Sequence, residues 1–399
     1  MNRLILYDTC NFRDYPVGGQ LTSIKNFLRY LAETYPEHCE NVLLAGVSCD
    51  PDEVGKIQKI ATASGTFSFL AVVHAESDLG NVKKSLRLEY VKGLWKYRKL
   101  IGLRKEDCNY IHTPEAFAAV RLMRPGAVCY VFSHGTYLNM WQRVRFFKKA
   151  PFIRLMFQEF LMQVIKKSTA VFVLDGGTEK DYSAYNRRVI LVRNSIVCRS
   201  RQERHTSFRQ NSEQEVRFLF VGRLSEGKRI GTIMEAVKGY HRPCTLSILG
   251  DGEERQKLEE EARGSERIRL LGAVEPDEVE RFMRSSDILV MNSDSEGMPM
   301  VILEAIRTGM PVITTDVGGI HEALTFGCDS EATDGTAQGI RDAADRILAD
   351  YDRYSEKAYE KSLQFDYRKV NEKVLKVLNE SLRWEINSDN ERKNGRKNG

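Results

Sequence analysis

Two carboxylates eight residues apart, Glu296 and Glu304, bracket an apolar turn in the segment SEGMPMVILEA, residues 295–305. Pro299 suits the first turn of a helix, where its missing N–H costs nothing. Glu304 then lies about two helical turns further on, and the open N–H groups around Met300 and Val301 form an anion site between the two acids. A ligand with hydroxyls on both sides of its phosphates matches that pattern, as a nucleotide sugar does, because carboxylates hold hydroxyls while backbone amides take a diphosphate. The plainer alternative is a solvated loop acid and a solvent-facing helix charge. A second segment, VGRLSEGKR at 221–229, ends a strand at Arg223 and sets Lys228 across a Gly-bearing turn. Two cations at a strand's carboxyl end can neutralise a diphosphate leaving group, or they are ordinary surface charges. Gly18 and Gly19 follow the first apolar run, where adjacent glycines let backbone amides approach an anion or simply make a tight turn.

Positioning these residues requires short buried strands that end where the polar groups begin. The chain supplies them as LILYD, VLLAGVS, FLAVV, NYIHT, VCYVFSH and AVFVLD in its first half, and RFLFVGRL, TLSILG, IRLLG, ILVMNS and PVITTD in its second. Alternating with helix-period stretches, they predict a doubly wound parallel α/β sheet in each half, with ligands beyond the carboxyl ends of the strands. The expected division is a domain over 1–197 and another over 198–368, with the polar run 199–214 as an exposed loop or linker. Helical pattern resumes at 339–350 and 370–382, and residues 385–399 read as a disordered polar tail.

With 399 residues and 42% hydrophobic content, the chain can bury a core in each of two domains. No run approaches the roughly 18 apolar residues of a spanning helix, and the N-terminal run is too short for a signal-peptide core. Eight cysteines without a CxxC pair read as reduced core residues of a cytoplasmic protein, and no zinc site or Asp-x-Asp metal pair is expected. Asp294 lacks the spacing of such a pair, and Asp287 is expected to orient the turn before its strand. Residues 1–200 carry 29 basic against 18 acidic side chains, the remainder 31 against 37. The excess gathers at 83–105 and in the aromatic-basic stretch 141–167, which reads as an element for an anionic membrane surface. Nucleic acid is not expected as a partner, because no recognised motif accompanies the basic run and the second half is acidic.

Taken together, the segments resemble the family 4 retaining glycosyltransferases of GT-B architecture, two facing Rossmann-like domains with a cleft between them. EGMPMVILE is similar to that family's E-x7-E motif, VGRLSEGKR to its Arg/Lys diphosphate motif, and ILGDGEER to its GDG turn. The Gly-Gly loop, SHGT at His134, RNSI at Asn194 and TDVGGIHE at 315–322 follow in the family's order.

The resemblance implies that Glu296 contacts donor-sugar hydroxyls and Glu304 the ribose. Arg223 and Lys228 would bind the diphosphate, Gly18 and Gly19 would close over it, and His134 would approach the donor sugar. Gly297, Met298, Met300 and Val301 would line the donor. His112, at another strand end, has no secure role. Transfer would proceed with retention and without a divalent metal or other cofactor, the leaving phosphate helping to take the acceptor proton. The acceptor would be a saccharide, lipid-linked by the membrane argument, in surface polysaccharide or lipopolysaccharide assembly at the cytoplasmic face of the membrane. A sugar-nucleotide epimerase or a non-catalytic sugar-nucleotide sensor on the same scaffold are the alternatives. By analogy, helix 370–384 would complete the first domain. Ser195 stands where many relatives have glycine, and the polar run FGCDSEATDGTAQG predicts a truncated edge for the second domain.

Overall fold

The computed structural model describes residues 2–15, 19–62, 65–75, 85–135, 151–198 and 215–385. Gly18, the expected linker 199–214, residues 141–150 of the aromatic-basic stretch and the tail beyond Glu385 lie outside them. The chain forms two compact units, one of residues 1–193 with 367–399, the other of residues 194–366. The first crossing therefore precedes the expected 197/198 boundary. The reason is local, since the Ile196 amide donates to the Phe365 carbonyl at 2.9 Å and Arg307 reaches the Val197 carbonyl at 3.3 Å.

The first unit holds an eight-stranded sheet in the order β3-β4-β2-β1-β5-β6-β7-β8. Its strands are β1 (Leu4–Tyr7), β2 (Val42–Ser48), β3 (Ile57–Thr62), β4 (Gly65–His74), β5 (Cys108–Ile111), β6 (Val128–Ser133), β7 (Ala170–Val173) and β8 (Val189–Leu191). All pairings are parallel except β3 with β4. Every residue of β1 and β2 is buried, because crossover helices cover both faces of a parallel sheet. Those helices are α1 (Gly19–Thr34), α2 (Leu86–Lys96), α3 (Arg98–Ile101), α4 (Glu115–Met123), α5 (Pro151–Lys167) and α6 (Gly176–Ser183). The chain's closing helix, α14 (Tyr367–Leu382), packs Val374, Leu375, Leu378 and Leu382 into the same core as Leu4, Leu6 and Tyr130. Just past it, the Trp384 ring stacks on His38 at 4.6 Å and donates its N–H to the Asn2 carbonyl at 3.0 Å. Around β1 the chain runs first to one side and then, with β5, to the other, which opens a crevice beyond the carboxyl ends of β1 and β5.

The second unit is an all-parallel six-stranded sheet in the order β11-β10-β9-β12-β13-β14. The strands are β9 (Val216–Val221), β10 (Cys244–Leu249), β11 (Ile268–Gly272), β12 (Ile288–Val290), β13 (Val312–Thr314) and β14 (Ser330–Ala332). Helices α7 (Ile230–Lys238), α8 (Arg255–Ala262), α9 (Pro276–Ser285), α10 (Met300–Arg307), α11 (Ile320–Ala323), α12 (Ala337–Ala349) and α13 (Tyr351–Ser362) connect and flank them. Strand β14 corrects the expected truncation. Within FGCDSEATDG, Ser330 and Glu331 are buried, and Glu331 accepts from the Tyr354 hydroxyl and from Arg346 at 2.6 Å. Polar residues thus serve as a strand because their side chains find partners. In this order the direction of winding reverses between β9 and β12, where open α/β sheets bind ligands.

Candidate functional site

The loops that leave β9 and β12 carry the residues singled out in the sequence. After β9, a single turn of 3-10 helix at Glu226–Lys228 presents Lys228. After β12 the chain runs through Ser293 to Glu296. The Lys228 ammonium donates to Glu296 Oε1, which also accepts from the Ser293 hydroxyl at 2.7 Å. Backbone contact fixes the two loops together, since the Asp294 amide donates to the Gly227 carbonyl at 2.8 Å. Arg223 stands apart, 74% exposed and paired with Glu253 at 3.1 Å. A cavity of about 190 Å³ lies beside it, lined by Gly222, Gly250, Asp251, Val274 and Val279 among others.

Helix α10 begins directly after this turn. Pro299 takes the cap position without a side-chain cap, and the amides of Met300 and Val301 find no acceptor among the described residues. Glu304 projects from the next turn, half-buried and without a hydrogen bond among the described residues. Burial raises its carboxyl above the usual range, Arg307 opposes this and Glu280 adds to it. Met298 is buried, and its carbonyl accepts from the Asn194 side chain at 2.8 Å, so the first residue of the unit holds the turn in place.

Glycine sets the closeness of this packing at two points. A Cβ on Gly250 would stand 1.8 Å from the Gly222 carbonyl oxygen, and one on Gly318, at φ +60°, 1.8 Å from the Glu296 carbonyl oxygen. The sequence reading missed Arg229 and Asn292. Arg229 Nε donates to the Asn292 carbonyl at 2.9 Å and lies 3.0 Å from Asp294 Oδ1, while fully buried Asn292 donates to the Gly335 carbonyl at 3.2 Å. Asp287, expected to orient a turn, grips the Arg217 guanidinium at 2.8 and 3.1 Å and its amide at 2.8 Å.

The first unit holds a second cluster at its own crevice. Asp8 directly follows β1, His112 follows β5, and His134 follows β6, so all three leave strand carboxyl ends. His112 Nδ1 and His134 Nε2 are 2.8 Å apart, and Asp8 accepts from the Gln20 amide at the start of α1. Burial holds His112 well below the usual histidine range and takes His134 down to about 3, with Arg87 adding to the latter. The same desolvation pushes Asp8 up to about 6, against hydrogen bonds from Gln20 and Cys10. One donor atom from each of the three side chains lies within 4.8 Å of the others. The sequence offers one signal for Asp8, a charge immediately after a fully apolar strand. Gly19 opens α1 next to this cluster's Gln20.

Residues 215–350 match the model of the family described as Glycosyl transferases group 1. Over 157 residues the chain is 32% identical to the O-antigen biosynthesis glycosyltransferase WbnH of Escherichia coli, a stretch that is 39% of this chain and 44% of that one. The chain thus spans less than half the length of that curated relative. Among solved structures, sucrose-phosphate synthase from Thermosynechococcus elongatus superposes with a TM-score of 0.73 at 15% identity, covering 95% of this chain and 99% of that one. Anabaena HepE in complex with UDP-glucose gives 0.65 at 16% identity over 95% and 100%. These likenesses bear out the expected fold class, two parallel-sheet α/β domains as in GT-B glycosyltransferases.

Proposed function

We propose that the protein, whose residues 215–350 match the group 1 glycosyltransferases, is a retaining, metal-independent glycosyltransferase. It takes a sugar from a nucleotide-diphosphate donor to a saccharide acceptor in surface polysaccharide or lipopolysaccharide assembly. The observation that carries this reading is the Lys228–Glu296–Ser293 constellation at the winding reversal of the second unit's sheet, one turn ahead of the open amides of α10. The relative named for O-antigen biosynthesis and the HepE complex with UDP-glucose support the pathway class and the donor class.

On this reading the diphosphate displaces Glu296 from the Lys228 ammonium. Lys228 and the amides of Met300 and Val301 then take the phosphate oxygens, and the freed Glu296 carboxylate accepts from sugar hydroxyls. Glu304 receives the ribose hydroxyls with a carboxyl that no protein donor occupies among the described residues. Arg223, 74% exposed beside Glu253, exchanges that surface ion pair for the diphosphate. Retention follows if the acceptor attacks on the face from which the phosphate departs, the phosphate taking the acceptor proton. Charge stabilisation at the diphosphate then falls to Lys228 and Arg223.

The acceptor is proposed to be lipid-linked and the enzyme to work at the inner face of a membrane. Support comes from α5, which leaves Phe152 72%, Leu155 56% and Met156 60% exposed, and from Leu122, 69% exposed on α4. Binding and slow hydrolysis across UDP-, GDP- and ADP-sugars test the activity, with Glu296→Ala and Lys228→Ala as controls. A selective hit weakened by both substitutions supports it. Binding indifferent to both would leave the sensor and epimerase readings ahead, and no binding to any of them would refute the nucleotide-sugar donor.

A further inference from the structure

The contact between His112 and His134 has a direction that its surroundings determine. At 2.8 Å, one of the two facing nitrogens carries a proton and the other accepts it. Were His112 Nδ1 the acceptor, its proton would sit on Nε2. That atom is buried and has no partner among the described residues. A buried N–H without an acceptor is rarer in folded proteins than an under-used acceptor, so the proton belongs on Nδ1 and Nε2 keeps only its lone pair. Turning the ring over does not escape this choice: it lies flat on Phe132 at 5.1 Å with 6° between planes and edge-on to Tyr110 at 4.5 Å, and a half-turn in that slot would put a carbon in place of Nδ1 and forfeit the contact with His134.

We propose that His112 is a positioning residue that donates to His134 Nε2 and so fixes His134 as the Nδ1–H tautomer, a neutral hydrogen-bond donor toward a ligand oxygen. His134 is half-buried and makes no other hydrogen bond among the described residues, which leaves its Nδ1–H for that ligand. With Nε2 occupied, and with both rings held neutral by burial, His134 serves as a donor to a sugar hydroxyl or phosphate oxygen and not as a general base. The ligand part of the proposal rests on the nucleotide-sugar reading given above; the tautomer does not. A bound cation is the competing use of Asp8, His112 and His134. The spacing favours the hydrogen bond, because two nitrogens bound to one tetrahedral zinc at about 2.0–2.1 Å stand about 3.3 Å apart.

The test is nitrogen-15 NMR of the full chain with labelled histidine, the His134 signals being assigned by loss in His134→Gln. The wild type should show a protonated Nδ1 and a bare Nε2, unchanged between pH 6 and 8. His112→Asn, whose amide donates from the place of Nδ1, should keep that pattern. His112→Phe, which keeps the stack on Phe132 but has no donor, should lose it to exchange between tautomers. In donor hydrolysis, His112→Phe should slow the rate about tenfold, the worth of one hydrogen bond. His112→Asn should stay within about twofold, and His112→Phe with His134→Phe should be no slower than His134→Phe alone. An Nε2–H tautomer in the wild type, an unchanged pattern in His112→Phe, or equal losses in the Phe and Asn variants would overturn the proposal. So would cobalt(II) producing a ligand-field spectrum that His112→Phe abolishes. If no nucleotide sugar binds at all, the functional reading falls while the tautomer result still decides this one.

Discussion

Asp8 gives a prediction that can be worked through from its burial. Its side chain is 2% exposed, and desolvation lifts the carboxyl from the ordinary 3.8 to about 6. Folding therefore favours the protonated form. The associated stability is fully present below about pH 4 and is lost as pH rises through about 6. A shift of about 2 units at roughly 1.4 kcal/mol each makes the loss about 3 kcal/mol. The histidines act oppositely, since their lowered values cost stability as pH falls below about 6.5. The wild-type curve alone mixes these effects, and the comparison with Asp8→Asn separates them. Asn keeps the size of Asp but cannot ionise, and it gives up about 1 kcal/mol by presenting an N–H₂ where Asp accepted. That cost is the same at every pH. All three tryptophans, Trp95, Trp141 and Trp384, fall in the first unit's stretches of chain, so fluorescence in urea follows that unit's unfolding. Between pH 4 and 7.5, Asp8→Asn should gain about 3 kcal/mol on the wild type. Parallel curves across that range would refute the assignment of a raised carboxyl to Asp8.

Other expectations follow from single contacts. Gly318→Ala should unfold the second unit at least about 2 kcal/mol more easily, from left-handed strain and collision with the Glu296 carbonyl, and should weaken donor binding in calorimetry; wild-type affinity would separate Glu296 from the site. Arg217→Ala takes the guanidinium from the buried Asp287 carboxylate, leaving it the amide of residue 217, and should cost about 2–3 kcal/mol by denaturant titration at pH 7, a loss that Asp287→Asn in the same chain should reduce. Lys228→Met should weaken binding of a nucleotide diphosphate about tenfold or more, whereas binding as tight as wild type would mean that Lys228 does not reach the phosphates. Phe152→Asp with Met156→Asp should abolish co-sedimentation with anionic vesicles at low salt; retention of binding would place the membrane element elsewhere.

Most strands of the second unit were legible because buried parallel strands are predominantly apolar, as in RFLFVGRL, TLSILG and PVITTD. Strands that depart from this physics were not visible. β3 alternates exposed residues with half-buried or, at Ile60, buried ones on a sheet edge, and β14 is held by the partners of Glu331. Helix α13 went unread because its buried face is built from Tyr351, Tyr354, Ser355, Ala358, Tyr359 and Ser362, mostly tyrosines and serines that do not read as an apolar stripe. At the site, the pairing of Lys228 with Glu296 was not legible, since 68 residues and three strands separate them. Nor could His112 be assigned from its neighbours, because the ring it faces is 22 residues away on the next strand.

The two crossings of the chain, near residues 193 and 366, bear on the order of biosynthesis. A ribosome delivers the first unit's sheet early, yet Val374, Leu378 and Trp384, which close its core, follow the whole of the second unit. The second unit is one uninterrupted stretch and is whole once residue 366 has emerged. Co-translational folding should thus finish in reverse order of emergence, with the later unit setting while the earlier one waits, its core open and in need of protection from aggregation, for the last turns of α14.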